Sequence, residues 1–168
     1  ADADADADDG GPDTSFGISG IAANPWTGAP AAAGLCVAAA DPSPALIPGG
    51  ELATLATTVT GEDGSFELTG IQTTSTLGLV VVVQDCPDSE ISTMYPTGTG
   101  VAAEDYTELE DGEVIEINPF LIVNNTLAAF ETGLVEAGHV DADGEAATFA
   151  AQGGLVAFLF DSEGNRVP

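Results

Sequence analysis

Turn-forming residues interrupt this chain about every ten positions, and that cadence limits its fold more than any other feature. Asn24-Pro25-Trp26-Thr27-Gly28-Ala29-Pro30 is dense turn chemistry, and Asp41 to Gly50 holds three prolines. Gly61-Glu62-Asp63-Gly64 forms a tight turn into Ser65-Phe66-Glu67-Leu68, where apolar residues alternate with polar ones. Between the turns lie Phe16 to Ile21, Gly34 to Ala40, Glu51 to Thr60 and Leu77 to Gln84. These segments have strand length. The four consecutive valines from Val80 to Val83 mark the last of them as a buried, central strand. Short strands punctuated in this way predict an all-β sandwich or barrel.

The later half continues the pattern with one change of period. Pro87 to Gly100 reads as a polar loop rich in Thr and Gly, and Glu104 to Glu113 is acidic. Val114 to Val123 is a further strand, broken by Pro119. Leu127, Phe130, Leu134 and Val135 then recur at helical spacing, which predicts a short helix over Thr126–Ala137. Asn124 and Asn125 are suited to cap it and Gly138 to stop it. The expected organisation is an acidic N-terminal extension over 1–15, a β-sandwich over 16–124 and a helix over 125–138. A C-terminal hairpin or donor strand follows over 139–168. That last part carries Gly154 to Phe160, strongly apolar between the turns Asp141-Ala142-Asp143-Gly144 and Asp161 to Arg166. An apolar strand cannot stay unpaired in water. Leu155, Val156, Phe158, Leu159 and Phe160 must therefore complete the chain's own sandwich or add to the sheet edge of a neighbour.

Charge excludes whole classes of partner. The 168 residues hold 28 Asp and Glu against a single Lys or Arg, for a net charge of −27. Nucleic acids and anionic membranes need cationic side chains to replace their counterions, so neither is an expected partner. Cations are. A salty exterior would screen the self-repulsion, although acidity kept only for solubility explains the balance equally well. No stretch has the length and apolarity of a membrane-spanning helix. The opening residues do not read as a signal peptide, so the chain is expected to be a mature, exported form. Ala1 to Asp13 runs ADADADADDGGPD. In an extended strand Asp2, Asp4, Asp6 and Asp8 share one face, opposite the alanines. Such a row could be ordered only by cations such as calcium. Asp9, Asp141 and Asp143 complete the candidate metal ligands, with a solvated spacer as the alternative. His139 falls on the same face as Asp141 and Asp143 in an extended chain, where a plain turn is the competing reading.

The remaining chemistry points away from catalysis. Cys36 and Cys86 are the only cysteines. An even count in an exported chain predicts a disulfide between them, against two buried free thiols. His139 is the single histidine, beside a turn and without a serine in a nucleophile motif. There is no glycine-rich phosphate loop with a lysine to complete it. No enzyme activity and no cofactor are expected, calcium excepted.

Ile18 to Val83 resembles the carboxypeptidase regulatory-like domains, which share the prealbumin-like (transthyretin-like) sandwich. The resemblance rests on Ile18-Ser19-Gly20-Ile21, Thr27-Gly28-Ala29-Pro30 and Cys36-Val37. Its best piece is Thr60-Gly61-Glu62-Asp63-Gly64-Ser65-Phe66-Glu67-Leu68-Thr69-Gly70-Ile71, with Leu79-Val80-Val81-Val82 standing for the closing strand. The tyrosine usual before that strand is replaced by Leu77-Gly78. Gly154 to Pro168 is similar to the first strand and turn of another such domain. The resemblance implies an Ig-like, prealbumin-like β-sandwich that is generally non-catalytic and occurs in exported and surface proteins. The leading expectation is an extracellular or cell-surface structural protein that polymerises head-to-tail with copies of itself by strand addition. A monomeric module binding carbohydrate or protein is the alternative. Trp26, Tyr95 and Tyr106 are the aromatics expected outside its core.

Overall fold

The structure, a computed structural model, describes residues 14–89 and 93–138. The described strands are β1 (Phe16–Ile21), β2 (Cys36–Asp41), β3 (Ala53–Val59), β4 (Ser65–Ile71) and β5 (Leu79–Gln84). They are followed by β6 (Met94–Tyr95), β7 (Thr97–Val101), β8 (Val114–Glu116), β9 (Ile122–Val123) and the helix α1 (Asn124–Glu136). Short 3-10 turns occupy Ser43–Leu46 and Ala103–Asp105. Among the described residues the regular structure is therefore mostly β, with one α-helix. It divides between Asn124 and Asn125 into two compact units, the first holding the sheets. Among the described residues no helix is long and apolar enough to cross a membrane.

Three strands in the order β4-β1-β8 form one sheet, four in the order β3-β2-β5-β7 form a second, and β6 pairs with β9 in a third. β1 is antiparallel to β4 but parallel to β8, with Ile18 opposite both Leu68 and Ile115. The inward positions of the two larger sheets build one apolar cluster. Ile18 and Leu68 come from one sheet, and Val37, Val81 and Val83 from the other. Alternation in β5 is strict: Leu79, Val81 and Val83 are buried while Val80 and Val82 are half-buried on the opposite face. That period of two is what a pleated strand imposes on a run of valines.

The turn that carries the chain from β3 in one sheet to β4 in the other depends on Gly64, whose φ is +76°. A Cβ there would lie 2.7 Å from the Ala22 carbonyl oxygen and 2.8 Å from the Ala31 nitrogen, so only glycine fits.

Three sequence expectations need correction. Pro87 to Gly100 is not a continuous loop, because β6 and most of β7 lie within it. Thr97-Gly98-Thr99-Gly100 has no apolar period of its own; the backbone pairing with β5 makes it a strand. Val114 to Val123 is two strands in different sheets, β8 and β9, rather than one. The helix starts at Asn124, so Asn124 and Asn125 occupy its first turn instead of preceding it. Gly138, at φ +80°, follows the helix end and donates its N–H to the Val135 carbonyl.

Candidate assembly surface

In a chain of this charge, the places without carboxylates carry the information. The three-stranded sheet guards both edges with acid: Glu67 lies midway along β4 and Glu116 ends β8, each exposed and each opposite Ser19 of β1. The four-stranded sheet does not. Its edge strands read Ala-Thr-Leu-Ala-Thr-Thr-Val and Thr-Gly-Thr-Gly-Val, without a charge. On its outer face stand Thr57 and Val59 of β3, Val80 and Val82 of β5, and Gly98 and Gly100 of β7. Val59 is 55% exposed. Unpaired strand edges invite another strand, and proteins normally deter this with charge, proline or bulges.

The two edges differ in regularity. β3 carries a register shift: Ala56 faces Ala39 while Thr54 faces Ala40, leaving Leu55 as an extra residue. Such a bulge twists an edge and interrupts the ladder. β7 pairs with β5 without a shift, from Leu79 opposite Val101 to Val83 opposite Thr97. Gly98 and Gly100 are both exposed, and a Cβ at Gly100 would meet nothing within 4 Å. Beside them Val80 and Val82 lack the cover that a side chain on β7 would give.

Cys36 and Cys86 are joined in a disulfide, with Cα atoms 4.9 Å apart. Cys36 begins β2 opposite Gln84, the last residue of β5, so the bridge ties the start of one central strand to the segment leaving the other.

With so few cations, several of the described carboxylates take neutral donors. Oδ1 of Asp41 accepts the Ser43 N–H at 2.8 Å, the Ser43 hydroxyl at 2.5 Å and the Ser75 hydroxyl at 3.0 Å. These bonds, Ser43 foremost, hold its pKa below the usual 3.8. Asp63 is treated the same way by the N–H and hydroxyl of Ser65, and Asp111 by those of Ser15. In both cases the pKa falls. Asp85 loses solvent, which acts to raise its pKa. The hydroxyl and N–H of Thr93 and the N–H of Met94 outweigh that and lower it. Tyr106 seals the Asp41 cluster by donating its phenol to the Ser75 carbonyl at 2.8 Å. Burial, then the Asp41 charge, raises the pKa of that phenol.

Tyr106 is not an exterior aromatic, as the sequence suggested. It is 6% exposed and stacks on Phe16 with ring centroids 5.2 Å apart. Its acidic neighbours disguise it, whereas burial between Phe16 and the Ser75 carbonyl defines it. Trp26 and Tyr95 are each half-buried.

Asp2, Asp4, Asp6, Asp8, Asp9, His139, Asp141 and Asp143 lie outside the described residues, as do Leu155, Val156, Phe158, Leu159 and Phe160. Among the described residues no three His, Cys, Asp or Glu side chains converge to hold a metal ion. The Asp-x-Ser clips were missed in sequence, although Asp41-Pro42-Ser43 and Asp63-Gly64-Ser65 carry the i, i+2 spacing of an Asx turn.

No family model matches the chain, and no curated protein matches it. Among solved structures it is similar to part of a crystallographic 9R-lipoxygenase from Cyanothece PCC8801, at 13% identity and a TM-score of 0.37 over 63% of this chain. The chain spans 17% of that protein's length, and a likeness this loose carries no argument about what the chain does.

Proposed function

We propose that this chain is a non-catalytic extracellular structural subunit, a prealbumin-like β-sandwich that assembles head-to-tail by strand addition into a filament or surface layer. The observation that carries the reading is the pair of uncharged edge strands, β3 and β7, on the four-stranded sheet of a protein of net charge −27. Two copies of so acidic a chain repel wherever carboxylates meet, so association is cheapest where there are none. The donor is the uncharged run Gly154 to Phe160. A donor at one end and an acceptor elsewhere make a contact that does not close on itself, and such contacts generate filaments. The family assignment is supported by the Asp63-Gly64 turn entering β4 and by β5 as the closing strand. The disulfide suits an oxidising exterior. Calcium or other cations are the partners proposed for Asp2, Asp4, Asp6, Asp8 and Asp9 with Asp141 and Asp143.

The full chain at high concentration, in salt and calcium, should form polymers visible by electron microscopy. Removing residues 154–168 should leave a monomer that keeps its disulfide, and a peptide of the removed sequence should bind to it. A full chain that stays monomeric under these conditions ends the reading and leaves a monomeric binding module for carbohydrate or protein in its place.

A further inference from the structure

We infer that the acceptor for Gly154 to Phe160 of a second copy is the β7 edge, with the phenylalanines of the donor laid over Gly98 and Gly100. The inference rests on the strand-addition reading above and adds to it the edge and the pairing. β4 and β8 carry exposed carboxylates. β3 is uncharged, but its bulge at Leu55 breaks the ladder that an incoming strand would copy. β7 alone among the described edges of the two larger sheets is uncharged and regular along its whole length. Residues 91–103 around it contain no Asp or Glu, and neither do residues 146–160 around the donor. Pairing the two therefore opposes no charges.

Periodicity supplies the second observation. In an extended donor, Val156, Phe158 and Phe160 share one face, and Leu155, Ala157 and Leu159 share the other. The phenylalanines stand two residues apart, and so do the exposed glycines of β7. Large rings on a neighbouring strand compensate an edge glycine by covering the bare backbone, a pairing used deliberately in β-sheets. Here the rings would also cover Val80 and Val82, which are half-buried on the same face. The Leu155, Ala157 and Leu159 face would continue the inward row of Thr97, Thr99 and Val101. An acceptor strand with side chains in place of the glycines would hold the rings off; the space at Gly100 is open, and at Gly98 a ring would pack on the Val80 Cγ1 methyl, 3.0 Å from where a Cβ would stand.

Two variants of the full chain test the edge. Gly100→Glu copies the deterrent used by β4 and β8, and its Cβ has free space. It should keep the Cys36–Cys86 bridge and the thermal midpoint while raising the concentration needed for assembly at least about tenfold, one such factor being the cost of a lost or mispaired hydrogen bond. Thr57→Glu, exposed on β3, should change that concentration less than about twofold, as expected for a substitution away from the contact. In a mixture of Gly100→Cys and Phe158→Cys chains, oxidation should link two different chains. Loss of assembly with Thr57→Glu but not Gly100→Glu, or with neither, overturns the β7 assignment while strand addition stands. A crosslink that forms only inside a chain carrying both cysteines overturns pairing with a second copy. If removing residues 154–168 leaves assembly intact, strand addition itself is wrong.

Discussion

Asp41 shows how a chain nearly without cations uses a carboxylate structurally. Its neighbours are hydroxyls and N–H groups, and one oxygen takes three donors. The charge strengthens each of those bonds over a neutral equivalent. Asp41→Ala would remove the acceptor shared by the half-buried Ser43 and the buried Ser75, whose hydroxyl keeps the Gly78 carbonyl at 3.3 Å, and is expected to cost about 1 kcal/mol, read from chemical unfolding. The sign of the pH effect follows from the lowered pKa. The contribution is complete above the ordinary value of 3.8 and is lost as pH falls through the lower folded value. In high salt, where general repulsion is screened, the stability gap between the natural protein and Asp41→Asn should be constant from neutrality to about pH 5 and shrink below pH 4. A gap unchanged down to pH 2 would show that the charge does nothing. The Asp-x-Ser clips could have been read from local spacing. The bond from Ser15 to Asp111 could not, since the partners are 96 residues apart and only the folded sheet brings them together.

At the scale of elements, the disulfide closes a span of 50 residues between β2 and the exit of β5. In the chain-entropy account that bridge contributes about 4 kcal/mol. Replacing both cysteines with serine should lower unfolding stability by up to that amount, and intact mass should rise by two hydrogens on reduction of the natural protein. Two thiols that react with alkylating agent before reduction would contradict the bridge. β1, β2, β3, β4 and β5 were legible because their apolar residues alternate or run together between recognisable turns. The helix was legible from Leu127, Phe130 and Leu134. β7 was hidden for the reason that makes it interesting: Gly98 and Gly100 erase the apolar half of the period, and the strand exists because β5 is beside it. The bulge at Leu55 is equally silent in sequence, because it depends on which residues of β2 are opposite.

For the whole molecule, charge sets the conditions of stability. Self-repulsion at a net charge of −27 reaches across the protein at low salt, where the screening length is about 30 Å, and is nearly abolished at 1 M, where it is about 3 Å. The thermal midpoint should therefore rise with sodium chloride, by about 2–4 °C for each kcal/mol of repulsion removed. Calcium at equal ionic strength should raise it further if Asp2, Asp4, Asp6, Asp8 and Asp9 bind cations. A chelator that changes neither the midpoint nor the assembly state at low salt would reduce that tract to a solvated spacer.

The parallel pairing of β1 with β8 joins residues 97 positions apart, Ile18 with Ile115. Because β1 is the middle strand of its sheet, that sheet has no second neighbour for it until Glu116 has been made. The four-stranded sheet needs nothing outside Cys36 to Val101, and its cysteines are available earlier still. At a synthesis rate of roughly 5–20 residues per second, β1 waits about 5–20 s for its last partner. β1, the first of the described strands, cannot be sealed in place until β8, the last described strand of the two larger sheets, has been produced.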